Sequence, residues 1–568
     1  MDSVKGIGAS SGIGIGQLFV FEEKERVITE TSTVSVSAEL SALKDSIESA
    51  NIAITSLYDK AVETLGAEDA TIFQAHLMFL EDPEYVSGIE SLINDGKTAA
   101  FSVSTVRDTF VSLFSSMDDA YMKERASDIK DVSDRLILIL LGVKDDIASF
   151  TEPVIIVAED LTPSMTVTLD PKMVLAFVTR VGGKTSHSAI MARNMGIPAV
   201  VGVGDLTEIK SATQLIVDGD SGEIIINPTE EVLQTFDTKR ANYLEEQKLL
   251  ESYIGRSTVT LDGKHLELVC NIGSDKDIPL VVSNDGEGVG LFRSEFLYMD
   301  QSSMPSEETQ FIAYKKVLEG ISGPIIIRTL DVGGDKDIPY IHLDDEMNPF
   351  LGVRAIRLCL KDSALFQPQL LALLRASMFG HLKIMFPMVS SLEEVKLIKE
   401  QLVVAKKTLE ARGEKYKDDI EIGIMIEIPA AAIMADVLAT EVDFFSIGTN
   451  DLVQYTTATD RINQNVSHLY THYHPAVLRL IKFVAEAGNK AGIPVGMCGE
   501  AASDNLLLPF LIGAGLTELS VSPSKVLQVR KSVSELDTLK CNEYVENIMR
   551  LPDALTVREY LETVAYKG

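Results

Sequence analysis

The chain contains no tryptophan and only four cysteines, Cys270, Cys359, Cys498 and Cys541. None belongs to a CxxC pair, and at 568 residues the chain is far too large to be a disulfide scaffold. They read as reduced thiols in a cytoplasmic protein. Positive charge is also scarce: 51 lysines and arginines face 84 aspartates and glutamates, a net charge of −33. Such a field argues against a nucleic-acid partner. It still permits a small anionic substrate, which needs only a local group of arginines, and it favours approach of a basic protein. No run of about 18 apolar residues occurs, so no membrane span is expected. The opening MDSVKGIGASSG lacks the basic-then-apolar order of a secretion signal.

Between these absences the texture changes along the chain. Residues 1–22 read as a Gly-rich strand hairpin that returns to join a later sheet. Leu40, Leu43, Ile47, Ala50, Ile54, Leu57 and Ala61 recur at alternating steps of three and four, which places them on one face of a long helix. Ile129, Val132, Leu136 and Ile139 repeat the pattern, so residues 33–143 read as packed helices. From Pro153, the runs PVIIVAED, MVLAFVT, PAVVGV and QLIVDGDSGEIIIN are short, β-rich and broken by Gly, Pro and Asp. They predict an α/β subdomain over 144–228, completed by residues 1–32. Residues 229–257 are charged and nearly free of glycine, and read as a linker helix able to act as a hinge. Over 258–568, strand-like segments alternate with helical ones: LELVCNIG, GVGLFRSEF, PIIIRTLDV, LKIMFPMV, IEIGIMIEI, FFSIGTND, IPVGMCGE and LTELSVSP. Eight such alternations predict a (β/α)₈ barrel, whose chemistry sits at the C-terminal strand ends.

Several of those segments finish in polar or reactive residues. Arg293 and Arg328 stand near strand ends, and Arg461 lies ten residues after Asp451. Converging guanidinium groups suit a small polyanion; individually each could equally be an ion-pair partner. Glu427 and Asp451 each follow an apolar strand, either as Mg²⁺ ligands completed by substrate oxygens or as helix caps and structural acids. Asn450 can donate to a phosphate or orient Asp451. Cys498 is either a small buried hydrophobe or a proton donor at the rim.

Histidine is rare, with eight residues in all. One of them, His187, sits in GGKTSHSAIMAR between two serines and ahead of a helix-like run. It reads either as a packed histidine or as a nucleophile. The glycines allow close backbone approach, and Thr185, Ser186 and Ser188 offer hydroxyls. A helix N-terminus presents free N–H groups to a phosphate and disfavours imidazolium, which keeps a ring nitrogen able to attack.

Taken together, GGKTSHSAIMARNMGIPAVVG and DFFSIGTNDLVQYTTATDR resemble the two signatures of the phosphoenolpyruvate-utilising enzymes. KGIGASSGIGIGQ resembles their opening, with Ser11 where proline is more common. AHLMFLEDPE and AYMKERASDIKDVSDRLILILLG resemble the helical insert that docks a carrier. Near the chain's end LSVSP has valine where methionine is frequent. The resemblance implies the branch that feeds sugar phosphotransferase systems. It implies that His187 takes a phosphoryl group from phosphoenolpyruvate and passes it to a histidine of the carrier HPr. Arg293 and Arg328 would hold the substrate with Asn450, Asp451, Arg461 and Arg354; Glu427 and Asp451 would bind Mg²⁺; Cys498 would protonate the product. A homodimer through the C-terminal region is implied in the same way. A dikinase or a phosphoenolpyruvate synthase would need an ATP-binding block before residue 150, where only helices are read. A nitrogen-branch relative would carry an added N-terminal sensory domain, whereas this chain is expected to start at the family opening. A regulator without turnover has no use for so complete a set of reactive residues.

Overall fold

The structure is a computed structural model that describes residues 3–565 apart from 22–26, 66–69, 117–119, 144–149, 151, 184–185, 300–302, 334–337, 339, 342–345, 462 and 464. The chain divides into two compact units, Met1–Gln247 and Lys248–Gly568.

The first unit carries an eight-stranded sheet. Its strands are β1 (Ser3–Lys5), β2 (Ile7–Ser10), β3 (Ile13–Phe21), β4 (Val154–Ala158), β5 (Val174–Thr179), β6 (Ala199–Val201), β7 (Gln214–Asp218) and β8 (Glu223–Ile226). Their order is β1-β8-β7-β3-β4-β5-β6-β2. The opening segment joins this sheet, but not as the expected hairpin. β1 pairs with β8, β2 with β6, and β3 with β7 and β4, so no two of the first three strands pair with each other. Gly14 serves packing rather than a hairpin turn: a Cβ on it would lie 2.5 Å from the carbonyl oxygen of Leu175.

Between β3 and β4 the described residues form five helices, Val36–Leu65, Thr71–Leu80, Pro83–Asn94, Ala99–Ser115 and Ala120–Leu140. The heptad-like stripe is their seam. Leu43, Ala50, Ile54, Leu57 and Ala61 are buried, with Leu40 and Ile47 packed at the edge of the same cluster. A charged helix, Glu230–Glu251, runs through the boundary between the units. Its first turns pack Val232, Leu233 and Phe236 against Ile13, Ile216 and Ile225, and Lys239 pairs with the buried Asp218 at 2.6 Å.

The second unit is a closed barrel of eight parallel strands. They are β9 (Glu267–Ile272), β10 (Val289–Arg293), β11 (Pro324–Arg328), β12 (His381–Phe386), β13 (Glu421–Ile426), β14 (Phe444–Ile447), β15 (Val495–Met497) and β16 (Glu518–Val521), and β16 closes on β9. All eight sequence segments supply a strand. The main apolar core lies between strands and helices. A smaller cluster of Leu291, Ile326, Met385, Met425, Phe444 and Cys498 takes one residue from each of six successive strands or strand ends and fills the barrel's interior. No helix among the described residues is long and apolar enough to cross a membrane.

Candidate active site

The C-terminal rim of the barrel gathers the reactive residues. Arg293 and Arg328 are the last residues of β10 and β11. Glu427 follows β13, and Cys498 follows β15. Asn450 and Asp451 lie in the first turn of the helix Thr449–Thr457, just after β14. Arg354 precedes the helix Ile356–Lys361, and Arg461 lies on the loop beyond Thr457. All eight line one cavity of about 390 Å³.

Arg328 is buried and held on two sides, by Glu295 Oε1 at 2.5 Å and by Asp331 Oδ2 at 2.8 Å. Asp331 also pairs with Arg354 at 3.1 Å. Burial opposes the charge on Arg328, but Glu295 and Asp331 more than offset it and raise its pKa. Its Nε has no partner among the described residues, so one donor remains for an anion. The ion-pair and anion-binding readings of this arginine are therefore compatible: two acids fix the fork and leave the Nε–H without a partner among the described residues. Sequence reading missed Glu295 and Asp331, although both stand within three residues of a rim arginine, in RSE and RTLD.

Glu427 is enclosed. Burial, and after it the charges of Asp451 and Asp331, hold its carboxyl well above the usual range. Burial raises Asp451 too, with Arg354 partly opposing. Glu427 Oε1 accepts from the backbone N–H of Met388 at 2.6 Å. Met388 takes φ +58° to present that N–H, a conformation costly for a residue with a Cβ. Two mutually repelling carboxylates beside an anion-binding cavity fit a hard divalent cation, whose charge lets both ionise. Among the described residues no cluster of three His, Cys, Asp or Glu side chains is arranged to hold a metal.

Cys498 is buried, and all four cysteines are free thiols. Burial, partly opposed by Ser446 and Arg328, pushes the Cys498 thiol up to about 11. At neutral pH it carries its proton, the state a donor needs. Its loop turns sharply against the neighbouring helix: a Cβ on Gly499 would lie 1.7 Å from Thr449 Oγ1, so glycine is required. The amide of Asn450 is oriented by the same loop, its Oδ1 accepting from Glu500 N at 3.3 Å, which leaves the NH₂ group as donor.

In the first unit, His187 is the first residue of the helix His187–Met195. Ser186 caps that helix, its hydroxyl accepting from Ala189 N at 3.4 Å. Ser186 Oγ donates to Gly183 O at 2.9 Å and lies 3.1 Å from Ser188 Oγ. Ser188 is buried, so the structure uses its hydroxyl inside the fold. Lys184 and Thr185 lie outside the described residues.

Three family descriptions match the chain: "PEP-utilising enzyme, N-terminal" over residues 5–125, "PEP-utilising enzyme, mobile domain" over 150–222 and "PEP-utilising enzyme, PEP-binding domain" over 248–538. A phosphoenolpyruvate-protein phosphotransferase of Staphylococcus aureus is 47% identical over 566 residues, covering 99% of this chain and 98% of its own. One of Priestia megaterium is 45% identical over 569 residues, covering 100% and 99%. Another, of Staphylococcus carnosus (strain TM300), is 45% identical over 563 residues and covers 98% of each. With such identity over almost its whole length, and a barrel rim that holds arginines, paired carboxylates and a protonated thiol, the chain belongs to the PEP-utilising enzymes and, within them, to the phosphoenolpyruvate-protein phosphotransferases.

Proposed function

We propose that the rim cavity binds phosphoenolpyruvate, that His187 accepts its phosphoryl group, and that phospho-His187 delivers the group to a histidine of HPr, the first step of a sugar phosphotransferase system. The observation that carries this reading is the convergence of Arg293, Arg328, Arg354, Glu427, Asp451 and Cys498 on one cavity. Enzymes of this kind act on phosphoenolpyruvate and a phosphocarrier, and the family uses a divalent metal. We take that metal to be Mg²⁺, held by Glu427 and Asp451; when bound it neutralises charge on the substrate oxygens.

The chain's own residues do the rest. Arg293, Arg328 and Arg461 bind the phosphate and carboxylate, with Arg354 behind them, and the NH₂ of Asn450 donates to a phosphate oxygen. Neutral His187 attacks phosphorus in line; an N–P bond forms as the bridging P–O bond breaks, and positioning supplies most of the acceleration. The leaving enolate takes the Cys498 thiol proton at carbon and becomes pyruvate. The thiolate, whose conjugate acid has a pKa of about 11, regains a proton from water.

The division of labour we propose puts His187 in an α/β subdomain of residues 1–32 and 144–228, and the HPr-docking surface in 33–143. Residues 258–568 bind substrate and dimerise. One imidazole cannot face substrate and carrier at once, so the 229–257 helix acts as the hinge. The enzyme works in the cytoplasm as a homodimer. Incubation with radiolabelled phosphoenolpyruvate and Mg²⁺, followed by addition of HPr, tests the reading. Label should enter the protein, depend on the metal and move to HPr; label arriving only from ATP would mark a dikinase instead.

A further inference from the structure

The backbone oxygen of Cys498 is held by a side chain to which the proposed reaction assigns no part. Asn271 is the last residue but one of β9. Successive strand residues face opposite sides of a sheet. Leu268, Cys270 and Ile272 belong to the core between strands and helices, so Asn271 points into the barrel. Its Nδ2 donates to Cys498 O at 3.2 Å and to Ser520 O at 3.1 Å, and its Oδ1 accepts from Ser520 Oγ at 2.7 Å. Carbonyl oxygens only accept, so the NH₂ group must face them, and the network fixes the orientation of the amide. Around the barrel the strands run β15-β16-β9. Asn271 therefore reaches across β16, where Ser520 is fully buried, to the loop that follows β15.

Cys498 is anchored from the other side as well. Its backbone N–H donates to Ile447 O of β14 at 3.1 Å, and its Sγ lies 3.8 Å from the same oxygen. The residue is thus pinned at its nitrogen by β14 and at its oxygen by β9, with the thiol between the two anchors. Asn271 is not among the residues that line the cavity of about 390 Å³. It lines a neighbouring cavity of about 660 Å³, which Cys498 and Arg293 also border. Its place is therefore to act through Cys498 rather than by touching substrate. Proton delivery to carbon depends on where the thiol stands, and a misplacement of about 1 Å is enough to cost a reaction much of its rate.

We propose that Asn271 is a positioning residue for proton delivery: its amide, oriented by Ser520, holds the Cys498 backbone so that the thiol faces the methylene carbon of the leaving enolate. This rests on the reading that Cys498 is the proton donor; in that step its S–H bond breaks as a C–H bond forms. Asn271→Asp keeps the shape of the side chain and puts an oxygen where two carbonyls repel it. In the full chain with Mg²⁺ and HPr, kcat for pyruvate release should fall about tenfold. The single-turnover rate of labelling from radiolabelled phosphoenolpyruvate should change less than about twofold, because phosphoryl transfer precedes the proton. Phosphoenolpyruvate labelled stereospecifically with deuterium and tritium on its methylene carbon gives a second readout. Wild type should yield pyruvate with a methyl group of one configuration. The variant should lose most of that purity, because water protonates an escaped enolate on either face. In a Cys498→Ala background the substitution should add almost nothing, because the pair acts as one unit. Ser520→Ala removes only the hydroxyl that orients the amide; it should show the same split in weaker form, and it decides the question should Asn271→Asp not fold. If these variants slow labelling as much as pyruvate release, or leave release and methyl configuration unchanged while Cys498→Ala slows release, the positioning role is wrong and the donor reading stands. If Cys498→Ala leaves pyruvate release unchanged, the donor reading falls, and the role of Asn271 falls with it.

Discussion

Arg293 and Arg328 are register partners at the ends of adjacent parallel strands, two like charges side by side on the same rim. Arg328 is committed to Glu295 and Asp331, whereas Arg293 makes no ion pair among the described residues. Side-by-side cations repel, and an anion bound between them relieves that repulsion. Arg328→Lys keeps the charge but loses the fork. The expected outcome is a fall of roughly 10²–10³ in kcat/KM for phosphoenolpyruvate, measured by pyruvate release. A fall below about fivefold would show that the fork does not hold the substrate.

Glu295 balances a buried charge. Glu295→Gln leaves Arg328 short of a partner in a pocket where both side chains are under one-tenth exposed. Breaking such a pair costs about 3 kcal/mol, so denaturant unfolding should show the barrel's unfolding free energy lowered by about that amount, read from a lower midpoint at unchanged slope. Activity should fall as well, because the fork loses one of its two anchors.

Cys498 sits on a thiol pushed up to about 11. At neutral pH the thiol stays protonated, and the thiolate is the reactive form. Iodoacetamide should therefore modify Cys498 far more slowly than a free thiol, with the rate climbing steeply above about pH 9. Cys498→Ala should still accept label from phosphoenolpyruvate yet release pyruvate slowly. Unchanged steady-state turnover would remove the thiol from the proton-transfer role.

Glu518, the first residue of β16, is buried, and its Oε1 has no partner among the described residues. Burial, then the neighbouring Glu267, raises its pKa from 4.5 to about 8. The folded state thus keeps a proton that the unfolded state releases. The stability this confers is complete below pH 4.5 and is lost as pH rises towards 8. Glu518→Gln should flatten that decline, so the variant should melt higher than wild type at about pH 8.5, with the difference shrinking towards pH 5. A variant that melts lower at alkaline pH would contradict the sign.

Much of this was legible in the sequence because it is local. Each barrel strand is a short apolar run, and its reactive residue follows within a few positions, as Glu427 follows IEIGIMI and Cys498 follows VGM. The helical seam from Leu40 to Ala61 is one periodic pattern. What escaped depends on distant partners. The backbone of Met388 serves Glu427, 39 residues away, and Asp504 clasps His472 across 32 residues; no spacing rule connects such pairs. The opening glycines misled for the same reason. They read as a turn, but what Gly14 must avoid is the carbonyl of Leu175 on a strand far along the chain.

Transfer through His187 is tested most directly by incubating wild type and His187→Ala with radiolabelled phosphoenolpyruvate and Mg²⁺, then mapping the labelled peptide. Wild type should take up acid-labile, base-stable label on the peptide spanning Gly182–Arg193, and the variant should take up none. Label retained by His187→Ala, or found on another peptide of the wild type, would contradict the account.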